Sequence, residues 1–225
     1  MALVSALAIA GLSASPAGAV TVVNGSFEAV QITSSFSSNP ADIPGWTHSG
    51  DVGDALLWNA TFPVCCGGAG TAKTGDGNQF VTMGGGYGPF GSSAWSQTLT
   101  GLTVGKTYVV DFKTAAEGET ATQQLTVGLT SGSSTPSELF TTIPTSTLFW
   151  QDWGSDSYDF VASATSATLQ FSVTNQQFDV GLDAVSVSAA GVPEAATWTL
   201  MLLGVGMIGA GARLARRKDG LAPTA

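Results

Sequence analysis

The sequence predicts an all-β fold, an antiparallel β-sandwich of many short strands, and three observations carry that prediction. Charged residues make up only 10% of the 225-residue chain, while Gly, Ser and Thr are abundant and β-branched residues recur in short runs. Such a composition favours short strands with tight turns and leaves little for long helices. Apolar and polar residues alternate with a period of two in several stretches, as expected for strands with one buried face. Turn-forming clusters separate those stretches.

From the N-terminus, Leu3 to Leu12 form an apolar run followed by small residues and Ala17-Gly18-Ala19. This small-x-small pattern predicts a cleavable signal helix over residues 1–19, with Val20 as the mature start. Export is the consequence, although the segment before the apolar run carries no Lys or Arg.

Within residues 20–191, long enough for one domain with its own core, Tyr108, Val110, Phe112 and Thr114 share one strand face. Val109, Asp111 and Lys113 share the other. The same period runs through Leu125, Val127 and Leu129, then through Leu169, Phe171 and Val173, and Tyr158 and Phe160 end a further strand. Turns are expected at Gly101–Gly105, Ser131–Pro136 and Ser163–Ser166. Regular alternation of strand and turn is the pattern of an antiparallel sandwich.

Charge excludes one class of partner. The central segment keeps Lys73, Lys106 and Lys113 as its only cations against all of the chain's acids except Glu194 and Asp219. So acidic a surface repels phosphate backbones and disfavours nucleic acid, while cations and neutral ligands such as sugars remain open.

At the C-terminus, Val192-Pro193-Glu194-Ala195-Ala196-Thr197-Trp198 precedes an apolar run from Thr199 to Ala212, then Arg213, Arg216, Arg217 and Lys218. About fifteen apolar residues at ~1.5 Å each reach ~22 Å as a helix, a marginal span of a ~30 Å hydrocarbon core. The basic end favours a cytoplasmic terminus, with the acidic domain on the far side of the membrane. Residues 192–218 resemble the PEP-CTERM sorting signal of Gram-negative bacteria, also labelled an ice-binding protein C-terminal motif. Pro193, Glu194 and Ala195 form the sorting motif, and Ala195 stands where that family has a second proline. The resemblance implies recognition by an exosortase-type processing enzyme, an inner-membrane-anchored precursor, cleavage near Pro193-Glu194, and release or transfer to the cell surface.

Several fragments of the central segment come in a familiar order: Asn24-Gly25-Ser26-Phe27-Glu28, Ile43-Pro44-Gly45-Trp46, Gly75-Asp76-Gly77-Asn78-Gln79-Phe80-Val81, Trp95-Ser96-Gln97, and Gly181-Leu182-Asp183-Ala184-Val185. Together they resemble galactose-binding-domain-like jelly rolls, including carbohydrate-binding modules. In those relatives the Glu of the first strand and the Asp of the last often hold a structural calcium ion, which implies Glu28 and Asp183 here. Calcium takes six to eight oxygen ligands, which two carboxylates and loop carbonyls would help supply. Asp183 shares strand parity with Val185 and Val187, so it faces the core unless a bulge turns it outward.

Flat aromatic rings stack on sugar faces. Trp46 and Trp95 lie within the recognisable fragments and read as structural. Trp150 and Trp153, set among Gln151, Asp152 and Asp156, are the ligand candidates, together with Tyr87 in the Gly-rich loop Met83–Gly91. That loop lacks the lysine and following helix of a phosphate loop. Cys65 and Cys66 are adjacent, and bridging neighbours strains the ring, so thiols or an intermolecular bridge compete.

Catalysis finds little support: His48 is the only histidine, which denies a zinc set, and no pair of carboxylates stands out as a glycosidase pair. The expected function is therefore that of an exported, non-enzymatic surface or matrix protein that binds polysaccharide or builds the envelope. A secreted glycan hydrolase using paired carboxylates is the alternative.

Overall fold

A computed structural model describes residues 20–50, 57–63, 72–84, 91–117, 122–131, 135–142, 149–176 and 178–190. Chain contacts separate Met1–Ala189 from Ala190–Ala225, and the described strands all lie in the first unit. The expected signal helix, the tail at 192–218, Tyr87, Cys65 and Cys66 fall outside the described residues.

The fold is the antiparallel sandwich that the alternation predicts and the jelly roll that the resemblance of the ordered fragments implies. Its strands are β1 (Phe36–Ser37), β2 (Thr47–Gly50), β3 (Leu57–Asn59), β4 (Gln79–Met83), β5 (Gly91–Thr100), β6 (Thr107–Ala116), β7 (Gln123–Thr130), β8 (Ser137–Thr142), β9 (Trp153–Val161), β10 (Ser166–Gln176) and β11 (Val180–Ala189). One sheet, here sheet A, runs β1-β3-β4-β11-β6-β9, and the other, sheet B, runs β2-β5-β10-β7-β8. Every pairing is antiparallel. From β4 onward the chain mostly crosses between sheets at each turn, so strands distant in sequence become neighbours.

The core lies between the sheets, where the predicted faces meet. Tyr108, Val110 and Phe112 from β6, Leu125, Val127 and Leu129 from β7, and Leu169, Phe171 and Val173 from β10 are all buried, while Asp111 points to water. Trp95, fully buried, and Trp46 sit in this core as the fragments suggest, with Trp46 5.4 Å from Phe27 and 6.0 Å from Phe171. Each fully buried aromatic or leucine contributes roughly 1.5–3 kcal/mol of transfer free energy.

Three buried glutamines hold segments that have no strand partner. Gln97 accepts the Val23 N–H at 2.7 Å and donates to the carbonyls of Val23 (2.9 Å) and Gly45 (2.7 Å). Gln79 accepts from the Ile32 N–H and donates to the carbonyls of Phe27 and Val30. Gln123 accepts the Glu117 N–H and returns a bond to the Glu117 carbonyl. A side-chain amide carries a donor and an acceptor like a peptide unit, so each glutamine extends the sheet's bonding to a loop that has no strand beside it.

Candidate functional site

The two acids singled out for calcium approach one turn from opposite sides. Glu28 accepts the backbone N–H groups of Asn78 and, at 2.6 Å, Gln79, and its other oxygen takes the Gln31 amide. Asp183 accepts the N–H of Asp76 and that of Ala184, each at 2.7 Å. The turn between them has to be glycine-rich. A Cβ on Gly77, whose φ is +61°, would lie 2.3 Å from Glu28 Oε1, and one on Gly75 would lie 2.9 Å from Asp183 Cβ.

Parity alone places Asp183 on the core side, and the structure corrects this through the bulge that parity left open. Asp183 pairs with Lys113, but the next pair is Ser186 with Asp111, so Ala184 and Val185 together oppose Phe112. Ala184 takes φ +53° to make the bulge. Leu182 and Val185 both join the core, and Asp183 is turned to the outer face of sheet A, where the Gly75–Asn78 turn covers it completely.

That enclosure has an electrostatic consequence. Burial pushes the Asp183 carboxyl up to about 7, the N–H groups of Asp76, Ala184 and Gly75 pull it down, and the Asp76 charge raises it again. Lys113, directly across on β6, directs its ammonium to the Gly75 carbonyl at 2.6 Å. Two carboxylates and turn carbonyls are the hard oxygen donors that calcium takes, and a buried carboxyl that resists ionisation is one that a cation would stabilise. The two carboxylates match the ion in kind, while the Gly75 carbonyl already receives the Lys113 ammonium. Among the described residues, no group of three or more His, Cys, Asp or Glu side chains comes together as a metal site, so carbonyls and water would have to complete it.

The two tryptophan candidates part company. Trp150 is 1% exposed and lies 4.6 Å from Trp58, 5.4 Å from Phe80 and 5.5 Å from Phe149, in a second hydrophobic cluster on the outside of sheet A. Its ring offers no free face for stacking. Trp153 is half-buried at the rim of the same cluster, edge-on to Phe80 at 5.2 Å, with its N–H given to the Lys73 carbonyl at 3.0 Å. Phe149 and Trp150 are therefore a small core of their own, which alternation could not reveal because they lie on a connection rather than a strand.

The outer face of sheet B was not anticipated as a site. Register aligns Thr98, Thr168 and Thr130 across β5, β10 and β7, then Ser96, Gln170, Gly128 and Ser137 across β5, β10, β7 and β8, then Ser172 with Thr126. These side chains are exposed or half-buried. Near the β7–β8 end the face dips into a shallow depression of about 160 Å³, with Thr126, Thr130, Thr135, Ser137, Gln170 and Ser172 supplying hydroxyls and an amide. Its lining contains no carboxylate and no aromatic ring. It thus holds neither the acid nor the nucleophile of a glycosidase. The signal was present in the sequence as small polar residues alternating with apolar ones, Ser96 and Thr98 in β5 and Thr168, Gln170 and Ser172 in β10.

Of the other acids, Glu117 and Asp179 are buried at the end of the sandwich, where Glu117 accepts the Asp179 N–H at 2.9 Å. His48 lies 4.9 Å from Trp95 on edge strand β2. Neither arrangement forms an open cleft with paired catalytic groups.

Comparison with known proteins settles the chain's C-terminal segment. Residues 191–218 carry the PEP-CTERM protein-sorting motif. The motif marks an exported protein, secreted or at the cell surface, and implies processing by an exosortase system. It lies outside the described residues, and among those no helix is long and apolar enough to cross a membrane. No curated protein matches the chain in sequence. Among solved structures, the chain is similar to TmCBM61 in complex with β-1,4-galactotriose, at 19% identity and a TM-score of 0.52, over 74% of this chain and 96% of that one. It is also similar to the CBM22-1–CBM22-2 tandem domain of Xyn10C from Paenibacillus barcinonensis, at 16% identity and a TM-score of 0.48, over 81% of this chain and 48% of that one. The first likeness supports the jelly-roll fold of the region ahead of the sorting motif.

Proposed function

We propose that this is a non-catalytic protein of the cell surface or extracellular matrix that docks neutral polysaccharide on the outer face of sheet B. The observation that carries the reading is the shallow depression lined by hydroxyls and one amide without a charge. Closed small-molecule sites usually have volumes of roughly 300–1,000 Å³. A dip of about 160 Å³ on a strand face suits the edge of a polymer laid across it. Uncharged donors and acceptors match sugar hydroxyls, and an acidic domain disfavours anionic glycans. The carbohydrate-binding-module fold supports the same reading by analogy.

Affinity electrophoresis of the full chain through gels of neutral polysaccharides tests it. Gln170→Ala and Thr126→Val each remove one uncharged hydrogen-bonding group, worth ~1 kcal/mol, and should weaken binding about fivefold. Failure of every neutral polysaccharide to retard the protein would overturn the reading, as would retardation that neither substitution alters.

Two further parts belong to the proposal. Calcium at the Glu28 and Asp183 turn would tie the mature N-terminus to the last strand, and raises the melting temperature over that in chelator if the reading is right. The tail after Pro193-Glu194-Ala195 would hold the precursor at the inner membrane until an exosortase removes it. Mass spectrometry of the mature protein, reading both termini, tests the tail and the expected start at Val20 together.

A further inference from the structure

Asn24 is the only asparagine of the chain that a glycine follows. That pairing is chemically vulnerable: with no side chain on the next residue, its backbone nitrogen can reach the asparagine carboxamide and close a cyclic imide. The structure puts the pair in the knot that ties the N-terminal segment to the sandwich. Asn24 takes φ +52°, a left-handed conformation that asparagine tolerates better than most residues. Its carbonyl accepts the Trp46 indole N–H at 3.0 Å and the Phe27 N–H at 3.2 Å, and the Gly25 carbonyl accepts the Val185 N–H at 2.8 Å. Both ends of the Asn24 side chain are engaged as well. Its Oδ1 accepts the Ala29 N–H at 3.0 Å, and its Nδ2 donates to the Pro44 carbonyl at 3.2 Å.

We propose that Asn24 is a deamidation site guarded by the fold, so that release of the N-terminal segment is recorded in the chain as an irreversible covalent change. While the segment is docked, turning the carboxamide toward the Gly25 nitrogen breaks its bonds to Ala29 and Pro44 together. Gly25 cannot shift to meet it, because it lies so close to β11 that a Cβ there would collide with the Val185 carbonyl oxygen. Release of the segment removes both restraints. The Gly25 nitrogen then attacks Asn24 Cγ and gives up its proton, the Cγ–Nδ2 bond breaks and ammonia leaves, and solvent water opens the imide at either carbonyl. The products are aspartate at this position and an isoaspartate whose main chain runs through the former side chain. Neither rebuilds the knot. Aspartate sets a carboxylate oxygen against the Pro44 carbonyl where Nδ2 donated, and isoaspartate lengthens the main chain between the anchor points at Val23 and Gly25. Gln97, which holds Val23 by two bonds, and Trp46, which holds the Asn24 carbonyl, are therefore the positioning residues of the guard.

Peptide mapping by mass spectrometry tests this on the full chain, held in mildly alkaline buffer and sampled over time, both native and unfolded in urea. Conversion requires the opened segment, so Asn24 should convert about a hundredfold more slowly in the native protein than in urea. Gln97→Ala, kept in native buffer, should speed conversion about tenfold or more over wild type, with Asn78, which no glycine follows, as the internal reference. Trp46→Phe removes the indole donor but keeps an aromatic ring in the core, and should act in the same direction even if Gln97→Ala does not fold. The variant Asn24→Asp, which reproduces one product, should unfold at lower urea than wild type and lose hydrogen-exchange protection at the Val23 amide. Native conversion as fast as that in urea overturns the proposal. So does a wild-type rate in both Gln97→Ala and Trp46→Phe, or an Asn24→Asp chain with the stability and Val23 protection of wild type.

Discussion

Removing the Gln97 side chain should loosen the first residues of the mature domain in a measurable way. Gln97 makes three hydrogen bonds, two to Val23 and one to Gly45, while 93% buried itself. A neutral hydrogen bond contributes about 1 kcal/mol net, and 1–3 kcal/mol when its loss strands the partner away from water. Here the partners lie on exposed residues, with Val23 56% exposed, so water replaces the lost bonds and the lower figure applies. Gln97→Ala should therefore cost about 3 kcal/mol. The loss should be local in its onset: the segment around Val23 also positions Phe27, which is fully buried against Trp46, and the Gly25 carbonyl, which receives the Val185 N–H at 2.8 Å. Urea unfolding followed by tryptophan fluorescence gives the stability, and hydrogen exchange at the Val23 amide gives the local effect. Gln97→Glu keeps the acceptor, loses both donors and sets a carboxylate beside two carbonyls, so it should cost more than the alanine. Gln170→Ala, an exposed glutamine on the same sheet, should stay within about 0.5 kcal/mol of wild type. A change below about 1 kcal/mol for Gln97→Ala, with Val23 protection intact, would refute the view that the glutamine substitutes for a strand partner.

Three further outcomes follow from the same geometry. Because burial holds Asp183 at about 7 against an ordinary 3.8, the native state keeps a proton that the unfolded chain releases, and stability falls as pH rises through that window. In chelator, wild type should lose about 2–3 kcal/mol between pH 5 and pH 8 relative to Asp183→Asn, as measured by urea unfolding at each pH, and a difference of the opposite sign rejects the assignment. Gly77→Ala places its methyl 2.3 Å from Glu28 Oε1 at φ +61°, which should expel the carboxylate, cost about 2–4 kcal/mol and abolish any calcium-dependent rise in melting temperature. Gly105→Ala, at φ +82° with nothing within 4 Å of the new Cβ, should cost only the backbone strain of about 1–2 kcal/mol, and equal losses for the two variants would contradict a specific role for the Glu28 turn.

Much of the sandwich is legible before any coordinates. The alternation around Tyr108–Thr114, Leu125–Leu129 and Leu169–Val173 assigns both faces of three central strands, the Gly101–Gly105 cluster falls between β5 and β6, and Ser163–Ser166 leads from the end of β9 into the first residue of β10. The sorting motif is legible for a different reason, since Pro193-Glu194, the apolar run and the arginines are contiguous. These features are local: a strand's period and a linear motif depend on residues within a few positions of one another. The Ser and Thr positions of β5 and β10 were visible too, but their meaning required the register that lines Thr98 up with Thr168 and Thr130.

Tertiary structure alone decided which sheet each strand joins, the bulge at Ala184 that turns Asp183 outward, and the separation of Trp150 from Trp153. Trp150 and Trp153 are three residues apart and look alike in sequence, yet one roofs Phe80 and Trp58 and the other reaches the surface. The physical reason is that burial and charge state depend on what remote segments cover. Asp183 becomes a proton-holding acid because a turn 107 residues earlier closes over it, and that distance is invisible to any local pattern.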